Sequence, residues 1–140
     1  MTEDDDLAAL CAGAGRALAE AERPILEEHG LSMWQYVVLS ALSPGAAPSQ
    51  LALAQQIHYD KTRLIVLLDA LVAEGLVSRS PDPSDRRARV VRLTNLGIQR
   101  HAAVRDAIRA VEERMLAGLS AEQRRVLRSA LAHLAHSDST

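Results

Sequence analysis

Apolar residues recur at Leu7, Leu10, Cys11, Ala14, Ala17, Leu18, Ala21, Ile25 and Leu26, three or four positions apart, which is the spacing that lines one face of a helix. Pro24 predicts a kink near the end of that helix or a new first turn, and Gly30 is its expected cap. Ser32 with Gln35 matches the capping box, in which two side chains satisfy free amides at a helix start. A second helix is therefore expected from about Met33 to Leu42, stopped by Ser43-Pro44-Gly45. A short third helix opens near Ser49 with Leu51, Ala54 and Ile57 on one face. Asp60 is the N-cap of a fourth, which turns Leu64, Leu67, Leu68, Leu71 and Val72 inward and ends at Gly75.

The period then changes. Leu76–Arg79 and Ala88–Leu93 are strand-like, and the residues between them hold two prolines, two aspartates and two serines, which predicts a hairpin with a long tip. Thr94 caps a fifth helix with Leu96, Val104, Ile108, Val111, Met115 and Leu116 on its apolar stripe. Ser120 with Gln123 repeats the capping box and opens a last helix carrying Val126, Leu127, Leu131 and Leu134. The reading is a mainly α fold with one small β-hairpin, in which the third and fourth helices, separated by a tight break, form a helix-turn-helix pattern.

Composition narrows the class. The 140 residues fit one domain, and because Trp34, Tyr36 and Tyr59 are the only aromatics, Leu, Ala and Val must form the core. The formal net charge is −2, but it is unevenly spread. Residues 1–58 hold two basic against eight acidic side chains, and residues 59–140 hold fourteen against ten, so a polyanion is expected on the second part. Cys11 is the only cysteine, which excludes an internal disulfide. The acidic start Glu3-Asp4-Asp5-Asp6 does not read as a secretory leader, so a cytoplasmic location is expected. Gly30–Tyr59 lacks Asp, Glu, Lys and Arg, but Pro44, Gly45 and Pro48 interrupt it and four glutamines dilute it, so no membrane span is expected.

The densest chemistry lies between Asp82 and Gly97, where Arg86, Arg87, Arg89 and Arg92 alternate with apolar residues directly after the helix-turn-helix. Arginine suits such a tip because its planar, weakly hydrated cation is drawn to the negative potential of a narrow minor groove. Double-stranded DNA is the expected partner. No Gly-rich phosphate loop, nucleophile elbow or clustered acid pair is present, so an enzyme is not expected and no cofactor is assigned.

These segments together resemble the MarR family of winged helix-turn-helix transcription regulators over nearly the whole chain. The match rests on Asp85-x-Arg87 followed by Leu93-Thr94 and Gly97, on Asp60-Lys61-Thr62-Arg63-Leu64 with Leu71 and Gly75-Leu76-Val77, and on Leu53-Ala54 with Ile57. The resemblance implies a single MarR-type domain over 1–140, with a winged helix-turn-helix lobe at 32–93 and dimerisation helices at 7–30 and 95–136. It implies a DNA-binding repressor acting as a homodimer on a pseudo-palindromic operator. Arg87 is the residue matched for minor-groove insertion, and Asp85 is expected to orient an arginine by an ion pair. Arg86 and Arg89 are expected on phosphates, Lys61, Thr62 and Arg63 at base edges, and Gln50, beside Ser49, on the backbone. Of Ile65 and Val66, one is expected to touch thymine methyls and the other to pack; Ile65 is taken as the contact.

The resemblance also places Leu7, Leu10 and Ala14 against Val126, Leu131 and Leu134 of a partner chain. It implies a small aromatic or phenolic effector, with Arg16, His29, Trp34 and Tyr36 as the expected pocket between the dimer helices and the reading lobe. Cys11 raises an alternative, an oxidant-sensing regulator. Against it, Cys11 is offset by about one turn from the family's reactive position, Ala12 and Met33 stand where tyrosines are expected, and only Arg16 is near along the helix, so a buried, inert thiol is expected. No metal site is expected, because His133 and His136 share a helix face only near an end expected to fray, and His29, His58 and His101 lack ligand partners at metal-binding spacing; all five are read as solvent-facing or capping. A second alternative is a helical interaction module that keeps the winged fold without binding DNA.

Overall fold

A computed structural model describes residues 5–137. The acidic leader residues Glu3 and Asp4 lie outside the described residues. The order is α1 (Leu7–Glu28), α2 (Met33–Leu42), α3 (Gln50–Gln56), α4 (Lys61–Ala73), β1 (Val77–Asp82), β2 (Asp85–Leu93), α5 (Asn95–Met115) and α6 (Ala121–Ala135).

Local chemistry fixes most of the boundaries. Ser32 and Ser120 both form complete capping boxes, and Ser49, Asp60 and Thr94 each accept an amide hydrogen bond from the first turn of their helix. Three helices end in the same way, with a residue at positive φ whose successor donates back five positions: Leu31 to Leu26 after Gly30, Tyr59 to Ala54 after His58, and Leu76 to Leu71 after Gly75. His58, at φ 55°, therefore does in the helix-turn-helix break what glycine does at the other two. α1 runs unbroken through Pro24, so the proline does not start a new helix. The ring leaves the Glu20 carbonyl without its usual donor, a cost offset where Ile25 and Leu26 dock on the core.

The hairpin differs from the expected one. Its strands extend to Asp82 and Asp85, and the long tip contracts to the turn at Pro83-Ser84. Asp82 accepts from both the amide and the hydroxyl of Ser84, which tightens that turn and holds its carboxyl below the usual carboxylate range. Register runs regularly from Val77↔Leu93 to Pro81↔Arg89 and then slips, so that Asp82 faces Asp85 and the segment Arg86-Arg87-Ala88 is left without partners. At the base, Ala47 and Val91 exchange both backbone hydrogen bonds, which ties the α2–α3 loop to β2.

One core joins the lobe: Val38, Leu39 and Leu42 of α2, Leu53 and Ala54 of α3, Leu64, Leu68 and Leu71 of α4, with Leu76, Val77, Val91, Val104 and Ile108. In α3 the buried residues are Leu53 and Ala54, whereas Leu51 is exposed, because the helix rolls to bring Leu53 under α4. In α5, Gly97 and His101 occupy the inner face, and Leu96 and Met115 point out. Gly97 sits where the start of α5 crosses the Leu76 backbone, and a Cβ there would fall 2.0 Å from the Leu76 carbonyl oxygen. α6 buries no residue, and α1 buries only Leu26. Val126, Leu127, Leu131 and Leu134 stay open on α6, as does Leu7 on α1.

Candidate nucleic-acid interface and effector cleft

Three elements converge on one exposed surface. Ser49, Gln50 and Leu51 from the start of α3, Lys61 from the start of α4, and Asp85, Arg87, Ala88 and Arg89 from β2 line a shallow cleft of about 250 Å³. Asp60 caps α4 through the Arg63 amide at 2.9 Å, which leaves the Lys61, Thr62 and Arg63 side chains exposed at a helix N-terminus, where backbone amides and the helix dipole favour an anion. Arg86, Arg87 and Arg89 are exposed on the strand.

Asp85 does not form the expected ion pair. Its carboxylate accepts from the backbone amide of Arg87 at 3.0 Å, and no arginine lies within ion-pair distance of it among the described residues. The unpaired segment needs a local acceptor for its free amides, and Asp85 supplies one. Its orienting effect on Arg87 therefore runs through the main chain.

Gln50 is engaged within the protein. Its Oε1 accepts from Arg79 at 3.1 Å, and the same guanidinium donates to Asp69 of α4 at 2.6 Å. Gln50 has its amide NH2 as a further donor, the polarity that suits a phosphate oxygen. On the sequence alone Arg79, on a strand below the tip, reads as structural or solvent-facing; its partner is not legible there, because an acid ten positions away across a helix end gives no periodic signal.

Ile65 is half-buried, and Val66 is 67% exposed. With Leu64, Leu68 and Leu71 facing the core, the helical turn angle puts Thr62, Val66 and Asp69 on the opposite, outward face. The outward apolar residue of the reading helix is therefore Val66 rather than Ile65.

The expected effector pocket is dispersed. Trp34 packs against Tyr59 with ring centroids 4.4 Å apart, fastening α2 to the helix-turn-helix break. His29 caps α1, its Nδ1 within 2.8 Å of the Ile25 carbonyl, while its own carbonyl accepts from Arg100. Arg16 is exposed on α1 and lines no cavity with the others. Trp34 and Tyr36, two positions apart in α2, necessarily point to different sides, which scattered the group.

Of the four, Tyr36 lines a cleft between α1, α2 and α5. This cleft, about 520 Å³, is lined among others by Glu22, Met33, Tyr36, Val37, Ser40, His101, Arg105, Ile108, Arg109 and Glu112. Tyr36 and His101 stack with centroids 5.5 Å apart, and Ser40 Oγ shares a 3.1 Å hydrogen bond with His101 Nε2. His101 is therefore an inner-face residue, not the solvent or capping histidine expected. Burial, assisted by Arg105, holds its imidazole below the ordinary histidine value. Burial and then the Glu112 charge hold Glu22 above the ordinary carboxylate value, and burial raises Tyr36. Glu112 also binds Arg128 of α6 at 2.8 Å, so one wall residue reaches the last helix. His101, Arg105, Ile108, Arg109 and Glu112 follow helical spacing on α5, a signal present in the sequence and outweighed there by the apolar stripe they interleave.

Cys11 is exposed, not buried. Apart from half-buried Leu10, the first half of α1 is exposed, so a position on its apolar side still faces outward. Among the described residues no group of histidine, cysteine and acidic side chains could hold a metal, and no helix is long and apolar enough to cross a membrane.

Comparison with known proteins agrees with this geometry. The MarR family profile matches residues 29–88. The chain is 28% identical over 123 residues to a protein named as a regulator of the hcr operon of Thauera aromatica, covering 88% of this chain and 74% of that one. It is 32% identical over 105 residues to the HTH-type transcriptional regulator YdgJ of Bacillus subtilis (strain 168), covering 75% of this chain and 64% of that one. Among solved structures, the transcriptional repressor CouR bound to a 23-mer DNA duplex superposes with a TM-score of 0.84 at 26% identity, covering 94% of this chain and 93% of that one.

Proposed function

The chain belongs to the MarR family of winged helix-turn-helix regulators, and on that premise we propose that it is a homodimeric DNA-binding repressor, relieved by a small effector held in the α1–α2–α5 cleft. The observation that carries the reading is the convergence of the α3 start, the α4 start and β2 on one exposed surface bearing Lys61, Arg63, Arg86, Arg87 and Arg89. In this reading α4 enters the major groove with Thr62 and Val66 toward the bases, Gln50 donates to a phosphate, and Arg87 reaches the adjacent minor groove from the wing. Asp85 holds the wing backbone while Arg86 and Arg89 follow phosphates.

The dimer follows from the uncovered helices. A helix that exposes Leu131 at 44% and Leu134 at 57%, like the α1 start with Leu7 at 73%, needs a partner surface to cover it. A second copy supplies it through a two-fold axis, which also places two reading heads about one duplex turn apart. The Cys11 alternative has no support in basic or aromatic side chains around the thiol. The cleft offers stacked rings, apolar walls and two arginines, which suits a small aryl anion.

The test is a mobility-shift titration with DNA from the protein's own promoter region, paired with sedimentation of the free protein. A retarded complex of two chains per operator, built from a dimer in solution, is expected. A monomer that leaves this DNA unshifted overturns the reading.

A further inference from the structure

The cleft carries opposite charges that do not meet. Arg105 and Arg109 have no carboxylate within 4.0 Å among the described residues, and Glu22 has no basic partner within that distance. Glu112, the second acid of the wall, is committed to Arg128. Arg105 depresses His101, and Arg105 and Glu22 both act on Tyr36, so the two opposite charges lie within reach of the same ring without pairing. The same cleft is lined by the Tyr36–His101 stack and by Met33, Val37 and Ile108.

A cleft built only for an organic anion gains nothing from a half-buried carboxylate on its wall, since an acid there repels the ligand and is itself desolvated at a cost. A ligand with a cationic nitrogen at one end and an anionic group at the other satisfies both ends and leaves neither charge unpaired. We propose that the ligand of this cleft is an amphoteric small molecule, a flat or compact body whose anionic group meets Arg105 and Arg109 and whose protonated nitrogen meets Glu22. The proposal rests on the effector reading above and sharpens it. Glu22 is the specificity-determining residue in this assignment, because it distinguishes an amino acid-like ligand from a simple aryl acid of the same size.

The test uses three probes of one shape: 4-(aminomethyl)benzoate, benzoate and benzylamine, titrated calorimetrically at about pH 8, where the amine and carboxyl groups are both charged. The expected result is that the amphoteric probe binds at least about tenfold more tightly than either half. E22Q should bring the ratio of amphoteric probe to benzoate close to one, and E22D should restore part of it. Because the readout is a ratio on the same variant, a general loss of folding does not imitate it. Equal binding of benzoate and the amphoteric probe to the unmodified protein, or a ratio unmoved by E22Q, overturns the proposal and leaves the effector reading standing. Failure of all three to bind at about 10 mM, a concentration that reveals even millimolar sites, overturns both.

Discussion

The guanidinium of Arg79 on β1 bonds Asp69 on α4 at 2.6 Å, and its second nitrogen reaches Gln50 on α3. One side chain therefore fixes the wing, the reading helix and the helix before it relative to each other. The pair is partly open to solvent, with side chains 25% and 58% exposed, so its direct worth to stability is under about 1 kcal/mol. Its larger effect is on aim. Arg79→Met is expected to leave the melting temperature nearly unchanged while weakening operator binding about tenfold, ~1.4 kcal/mol. Fluorescence anisotropy with labelled operator and a thermal melt on the same sample separate the two effects; unchanged affinity contradicts the aiming role.

Arg87 lies in the segment that the register slip releases from pairing, with its backbone held by Asp85. Arg87→Ala should cost about 1–3 kcal/mol of operator affinity, the range of a lost specific contact. Arg87→Lys should recover only part of this, because an ammonium is more strongly hydrated than a planar guanidinium. A mobility-shift titration at fixed salt reads both variants, and an Arg87→Ala protein that binds like the parent excludes the wing contact.

Gly97 permits α5 to start directly on the backbone of Leu76, and the obstacle to a Cβ there is a carbonyl, not a movable side chain. Gly97→Ala must push the helix off the lobe and is expected to destabilise by about 3 kcal/mol, at the upper end for overpacking. Urea unfolding followed by circular dichroism measures it. A loss near zero would mean that α5 is docked differently.

His101 links stability to pH. Its folded-state proton affinity is depressed from 6.5, so below that pH the unfolded chain takes up the proton first and stability falls as pH drops toward the folded value. Above 6.5 this contribution is complete. Glu22, raised from 4.5, acts in the opposite sense and adds stability as pH falls toward 4.5. His101→Gln removes the histidine's part, so it should lose less stability than the parent as pH falls below 6.5 in paired urea titrations. Parallel pH profiles would contradict this.

The elements with a local cause were legible in the sequence. Ser32, Ser120, Asp60 and Thr94 cap where their spacing predicted, and Gly30 and Gly75 close their helices, because capping and positive φ are decided within a few residues. What failed depended on rotation and long-range contact. Ile65 was preferred to Val66, Leu51 to Leu53, and Trp34 was drawn into a pocket it does not line, since each answer depends on which neighbour a helix rolls against. The Arg79–Asp69 and Arg128–Glu112 pairs join separate elements, and periodicity carries no trace of such pairing.

The central claim is that a weakly anionic chain gathers its cations on a reading head that is doubled in the dimer, and the salt dependence of operator binding tests it most directly. Lys61, Arg63, Arg86, Arg87 and Arg89 from two chains should release counterions on binding. With six or more phosphate contacts, affinity for the protein's own promoter DNA is expected to fall about 10³-fold between about 50 and 200 mM salt. Binding that ignores salt over that range, or no binding at its low end, would contradict the account.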